Sequence, residues 1–211
     1  TWTWDNPPFS ATRGCFCGGN TGPYNVNIID YITIDTTGNA TDFGDLTRAT
    51  NGLSGVSSNT RGVIGGGGSN IMDYITIATT GNATDFGNLL TNIKQWAGVS
   101  TTSRGVFGGG STGSDTNIME YVTISTPSNS TDFGDLTVAR RGTAGVSSET
   151  RGVFIGGYAG GFKNTMDYIT IATVGNATDF GDTISNFYHG AGVSNDTRGV
   201  VSTAYIGSAV S

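Results

Sequence analysis

The side chains best equipped for chemistry in this chain come in sets. Arginine stands before glycine at Arg13, Arg61, Arg104, Arg151 and Arg198, so five of the ten basic residues hold one repeated position. Asp-Phe-Gly occurs at 42–44, 85–87, 132–134 and 179–181, and an acid precedes tyrosine at Asp30, Asp73, Glu120 and Asp167. A catalytic group is seldom needed four or five times over, so the repetition argues for scaffold. Each arginine fork is expected to hold a neighbouring carboxylate or to satisfy turn carbonyls. Each phenylalanine is expected to fill a pocket between repeats, and each following glycine to relieve a turn or bulge.

The remaining candidates for chemistry are weaker. Asp-Phe-Gly matches a kinase magnesium phrase, but no partner lysine strand or catalytic loop accompanies it. His189 is the single histidine, which excludes a histidine-rich metal site, and it is expected at the surface. The acids around Asp42–Asp45 are too sparse for a calcium loop. Gly65–Gly68 lacks the Gly-Lys-Ser/Thr of a phosphate cradle. Cys15 and Cys17 alternate along a strand, so both face one way and bridge poorly; with Val153 and Ile155 at the same places in a sister repeat, they read as small core residues. Asn39, Asn82, Asn129, Asn176 and Asn195 each open an Asn-x-Thr triplet, read as turn chemistry copied with the repeat. No catalytic set, cofactor or metal is expected.

Composition narrows the partners. With a net charge of −6 there is no basic stripe to track a phosphate backbone, which makes nucleic acid an improbable partner. No apolar run reaches the roughly 18–20 residues of a membrane helix, and TWTWDNPPFS shows neither a charged nor an apolar leader region. Glycine at 35 residues, proline at 4 and charge at 12% suit many short strands joined by tight turns.

These residues need elements to carry them. Tyr31, Tyr74, Tyr121 and Tyr168 each lie 12 residues before Phe43, Phe86, Phe133 and Phe180, and each phenylalanine lies 18 before the next repeated arginine. All length variation falls between the glycines and the tyrosine, which marks a surface loop. One domain over 1–211 is expected, with repeats near 1–50, 51–93, 94–140, 141–187 and a partial 188–211. In the third copy the β-type runs are Ala97–Ser100, Gly105–Gly109, Ile118–Ile124 and Thr131–Leu136, bounded by turn residues. Helix is disfavoured throughout. Units of this length with four antiparallel strands fit blades set about an axis.

The order Ala-Gly-Val-Ser, Arg-Gly-Val-Phe-Gly-Gly, variable loop, Asp-Tyr resembles the kelch repeat, with the diglycine at Gly18-Gly19, Gly65-Gly66, Gly108-Gly109 and Gly156-Gly157. It departs from kelch in the fourth strand, where Asp-Phe-Gly replaces a tryptophan. The resemblance implies an all-β, kelch-like β-propeller of four-stranded antiparallel blades. Five blades are favoured, the fifth completed by Thr1–Asp5 beside the C-terminal strands, with four blades as the alternative; an open end could also pair with another chain. The fifth copy supplies Ala191–Ser194 and Arg198–Ile206, while Trp4–Ser10, with Pro7 and Pro8, stands where the first strand belongs. The phrase DYITIATTGNATDFGDLT also resembles kelch-like repeats of marine bacteriophage structural and tail-fibre-like proteins, which implies a virion or extracellular setting.

Function is sought where the copies disagree. After the fourth strand they read Thr50-Asn51, Ile93-Lys94-Gln95-Trp96, Arg140-Arg141-Gly142 and Phe187-Tyr188-His189; between second and third strands lie Asn20–Asn25, Ser111–Thr116 and Tyr158–Lys163. Lys94, Gln95, Trp96, Arg140, Arg141, Phe187, Tyr188 and His189, with Tyr158 and Phe162, are expected on one rim. Aromatics among polar groups suit sugar stacking or protein contact. The expected function is a non-enzymatic binding or structural module contacting a host-surface glycan or another virion protein, with self-association in a larger particle. A free lectin or a self-assembling structural protein are the alternatives, and a polysaccharide hydrolase would need a carboxylate pair in a groove.

Overall fold

The computed structural model describes residues 12–202 and the backbone of 205–206. All regular structure among them is β, as the β-branched runs broken by glycine require. The first sheet holds β1 (Arg13–Asn20), β2 (Asn25–Thr33) and β3 (Thr41–Asp45) in that order. The second holds β4 (Leu53–Ser57), β5 (Arg61–Gly66), β6 (Ser69–Thr76) and β7 (Thr84–Ile93). The third holds β8 (Ala97–Ser100), β9 (Arg104–Gly108), β10 (Ile118–Thr123) and β11 (Thr131–Asp135). The fourth begins with β12 (Ala144–Ser147), β13 (Arg151–Ile155), β14 (Lys163–Thr170) and β15 (Thr178–Tyr188). A two-stranded sheet of β16 (Ala191–Ser194) and β17 (Gly199–Ser202) follows, and β18 (Tyr205–Ile206) pairs on the edge of β15. The apolar run 198–206 therefore divides between two sheets instead of forming one strand.

All strand pairing is antiparallel, and the register repeats: Val56 faces Val63, Val99 faces Val106, and Val146 faces Val153. Asp-Phe-Gly forms a bulge. Met72 pairs with Gly87 and Asp73 with Asp85, so Phe86 is the extra residue. It turns inward with only 2% of its surface exposed, while Gly87 takes φ 134°, a backbone open to glycine alone. Phe43 and Phe133 repeat this burial, and each phenylalanine meets the tyrosine of its own sheet edge-on at 5.9–6.1 Å. Phe180 departs from the expected pocket: it is 46% exposed, and among the described residues the sheet beside it has only the strands β16 and β17.

Successive sheets meet through one repeated set of contacts. Arg13, Arg61 and Arg104 lie over Tyr31, Tyr74 and Tyr121 at 4.4–4.5 Å and donate into the next sheet, to the carbonyls of Ile77, Ile124 and Ile171. Of the two expected roles the turn carbonyls win. The acids instead reach back to the preceding sheet, where Asp73, Glu120 and Asp167 accept the amides of Thr47, Leu90 and Thr137 at 3.0 Å. Asn82, Asn129 and Asn176 likewise accept the amides of Asp45, Asn88 and Asp135.

The first strands β4, β8, β12 and β16 lie side by side. Each glycine in them permits this approach: a β-carbon at Gly98, Gly145 or Gly192 would overlap the carbonyl of Gly55, Gly98 or Gly145. A serine ladder runs beside them, with Ser100, Ser147 and Ser194 Oγ each bound to the amide and carbonyl of the serine one sheet earlier. Among the described residues no strand pairing joins the two-stranded sheet to the first. Completion of the fifth unit by Thr1–Asp5, and the Trp4–Ser10 strand, lie outside the described residues.

Candidate functional site

The divergent residues after each fourth strand occupy four structural columns. Thr50, Ile93, Arg140 and Phe187 form the first and all point inward, at most 2% exposed. Asn51, Lys94, Arg141 and Tyr188 form the second; Lys94 and Arg141 are bridged to the loop of the following strand pair, whereas Asn51 bonds back to Asn25 and Tyr188 packs on the preceding loop. Gly52, Gln95, Gly142 and His189 form the third, all with φ between 58° and 69°. Leu53, Trp96, Thr143 and Gly190 form the last, where the chain turns back inward.

This alternation divides the expected rim. Three of its residues belong to the core. Trp96 is 4% exposed, stacks on Phe107 with centroids 4.7 Å apart and donates Nε1–H to the Gly65 carbonyl at 3.2 Å. Arg140 is fully buried and paired with Asp167 at 2.7 Å. It also donates Nε–H to the Gly156 carbonyl at 2.8 Å. Phe187 is 1% exposed within the cluster of Ala144, Val153 and Ile155. The reason is local: adjacent residues such as Phe187 and Tyr188 face opposite ways, and the left-handed residue at Gln95 turns Trp96 back inward, so a contiguous motif cannot all reach a surface.

The other residues do meet. Loop 111–115 and loop 158–162 are equivalent tight returns, each bridged to the second column: Lys94 to Ser111 and Arg141 to Tyr158. The Arg141 guanidinium lies 4.5 Å from the centre of the Tyr158 ring and 6.0 Å from that of Tyr188, and is ion-paired with Asp115. Phe162 stacks on Tyr188 at 6.0 Å with rings 6° from parallel, and Tyr158 stands edge-on to both. Hydrogen bonding to Tyr188, then to Asp115, raises the pKa of Arg141 and holds it protonated. His189 lies against Tyr188 at 3.9 Å, and burial, then the nearby Arg141 charge, lowers its pKa.

Gln95 and His189 add backbone strain. The third column needs left-handed φ, which glycine supplies at Gly52 and Gly142, whereas Gln95 at 61° and His189 at 58° adopt it with full side chains. That conformation costs about 1–2 kcal/mol outside glycine. The column is a chain of backbone hydrogen bonds: Gln95 N–H to Gly52, Gly142 N–H to Gln95 and His189 N–H to Gly142. The Gln95 and His189 side chains meet at 3.3 Å across Gly142, where a β-carbon would run into the Tyr188 ring. The sequence comparison named Gln95 and His189 but not their left-handed backbone, of which glycine alternating with a larger residue in one aligned column was the visible sign.

The cluster therefore presents flat aromatic faces, one cation held rigidly between two rings, amide and imidazole edges, and Lys94 exposed beside them. Its acid, Asp115, is already committed to Arg141. Among the described residues no three of His, Cys, Asp and Glu gather to hold a metal ion. No family model matches the chain, and no curated protein matches it.

Proposed function

We propose that this chain is a kelch-like β-propeller acting as a non-enzymatic binding module, with the Arg141–Tyr158–Phe162–Tyr188 cluster as its contact face. The propeller reading is supported by sheets that meet their neighbours through identical contacts, with glycine-bearing first strands side by side. Five units begin, and β16–β17 packs as the start of a fifth, which favours five blades over four. The observation that carries the binding reading is retained strain: Gln95 and His189 hold left-handed backbone where sister repeats use glycine, and both side chains border the aromatic cluster. Strain of this kind persists where a side chain is needed.

A host-surface glycan suits the face best, because sugar rings stack on tyrosine and phenylalanine while hydroxyls bond to amide, imidazole and guanidinium groups. The resemblance to phage structural repeats supplies a virion or extracellular setting, in which another virion protein is the second possible partner. Hydrolysis is not favoured, since the carboxylate in the cluster is ion-paired and unaccompanied. A glycan array followed by product analysis tests the reading. Binding to specific glycans with no chain shortening supports an adhesin, and released products overturn it.

A further inference from the structure

We propose that the interface between the second and third sheets binds a monovalent metal cation, sodium or potassium, on the buried carboxylate of Glu120. Glu120 is 0% exposed, and its two oxygens are held unequally. Oε2 accepts the Leu90 amide at 3.0 Å and the Ser130 hydroxyl at 2.6 Å. Oε1 is buried and has no hydrogen-bond partner among the described residues. The corresponding acids keep no such oxygen. Asp73 places both of its oxygens on Thr47, and Asp167 divides its pair between Thr137 and Arg140.

The neighbouring interfaces show what such an acid is built to meet. Between the third and fourth sheets the Arg140 guanidinium lies in a cage of oxygens: Asp167 Oδ2 at 2.7 Å and the carbonyls of Gly156 at 2.8 Å, Phe154 at 3.2 Å and Val138 at 3.4 Å. Between the first and second sheets Arg48 donates to the carbonyl of Gly66, the equivalent of Gly156, and lies within electrostatic reach of Asp73. The interface between them repeats the oxygens in the same register. Glu120 pairs with Phe107 as Asp167 pairs with Phe154, and Gly109 and Thr91 take the places of Gly156 and Val138. The arginines are not repeated: Thr91 stands in the column of Arg48 and Ile93 in that of Arg140. Ile93 is fully buried and carries no donor, and no ion pair reaches Glu120 among the described residues.

A buried carboxylate is costly unless a counter-charge meets it. A bound cation supplies here the charge that arginine supplies on either side. Two further exchanges belong to this interface alone. Ser130 replaces the alanine found at Ala83 and Ala177 and fixes Oε2. Glutamate replaces aspartate, and its extra methylene lets the charge extend into space that a guanidinium fills elsewhere. All the candidate donors are oxygens, which selects a hard cation. One carboxylate balances one positive charge, whereas calcium takes six to eight oxygens and commonly several carboxylates. The set therefore suits sodium or potassium.

The test is urea unfolding of the full chain in sodium, potassium or tetramethylammonium chloride, with tetramethylammonium chloride holding ionic strength constant as the metal salt is varied. The folded chain releases one cation on unfolding. Its unfolding constant should therefore fall about tenfold for each tenfold rise in free sodium or potassium above the dissociation constant, while tetramethylammonium, too large for the cage, stabilises nothing. Glu120→Gln should abolish the dependence. An Ile93→Arg, Glu120→Asp double variant, which copies the fourth sheet, should abolish it too, and it carries the comparison should Glu120→Gln fail to fold. Sodium-23 magnetic resonance gives the direct signature: the sodium line broadens with the unaltered chain and stays narrow with either variant. Equal stability in the three salts, or a metal dependence that survives both variants, would overturn the inference.

Discussion

Replacing Arg140 by alanine isolates what its burial is for. Arg140 and Asp167 are both fully buried, 2.7 Å apart. The guanidinium also donates to the carbonyls of Gly156 at 2.8 Å and Phe154 at 3.2 Å. Truncation leaves two carbonyls without these donors and leaves the carboxylate with only the Thr137 amide and hydroxyl. Breaking a buried pair by removing one partner costs about 3–5 kcal/mol, since the remaining charge stays desolvated. For a chain of this size that corresponds to a fall in Tm of roughly 6–20 °C. The third sheet provides an internal control: there Ile93 takes the arginine's column, and Glu120 is held by the Leu90 amide and the Ser130 hydroxyl without a side-chain cation. A combined Arg140→Ile and Asp167→Asn variant should therefore recover much of the loss. Urea unfolding followed by Trp96 fluorescence gives both values. A loss under about 1 kcal/mol for Arg140→Ala would refute the reasoning and return Arg140 to the surface role its sequence position suggests.

Three further outcomes follow from the same contacts. Trp96→Ala should cost about 3–5 kcal/mol in chemical denaturation and act through the core, since it empties the stack on Phe107 and strands the Gly65 carbonyl. Gln95→Gly should relieve left-handed backbone and raise stability by about 0.5–1 kcal/mol while weakening ligand binding; a fall in stability would contradict the strain assignment. Burial pushes the Cys17 thiol up from 9.0 to about 12, so the unfolded chain loses that proton first as pH rises. The contribution is intact below pH 9 and is lost progressively between 9 and 12, about 1.4 kcal/mol by pH 10. Cys17→Val should flatten that alkaline slope in pH-dependent unfolding.

Repetition made much of the sheet structure legible before any coordinates. The four runs expected in the third copy fall within a residue or so of β8 to β11, because turn residues bound each one. The scaffold role of the arginines was legible for the same reason. Their partner was not, since a guanidinium fits a carboxylate as well as a carbonyl and only the stacking on Tyr74 and its counterparts aims it at the turn. Site residues were half legible. Comparing copies picked out segments from which Arg141, Tyr158, Phe162, Tyr188, Gln95 and His189 come together. The same comparison could not see that Trp96, Arg140 and Phe187 point the other way, because the phase of side chains is set by where β7 and β11 end and by the pleat of β15. Phe180 departs for a reason of position: its repeat is sound, but among the described residues only two strands, β16 and β17, make up the sheet beside it.

The account rests most directly on the aromatic face being a binding surface. Glycan binding by the unaltered chain should be compared with that of a Tyr158→Ala, Tyr188→Ala double variant, using Phe180→Ala as a control for an exposed aromatic elsewhere. The account predicts that the double variant loses binding at unchanged fold, as judged by circular dichroism, and that the control retains it. Equal binding by all three would contradict it.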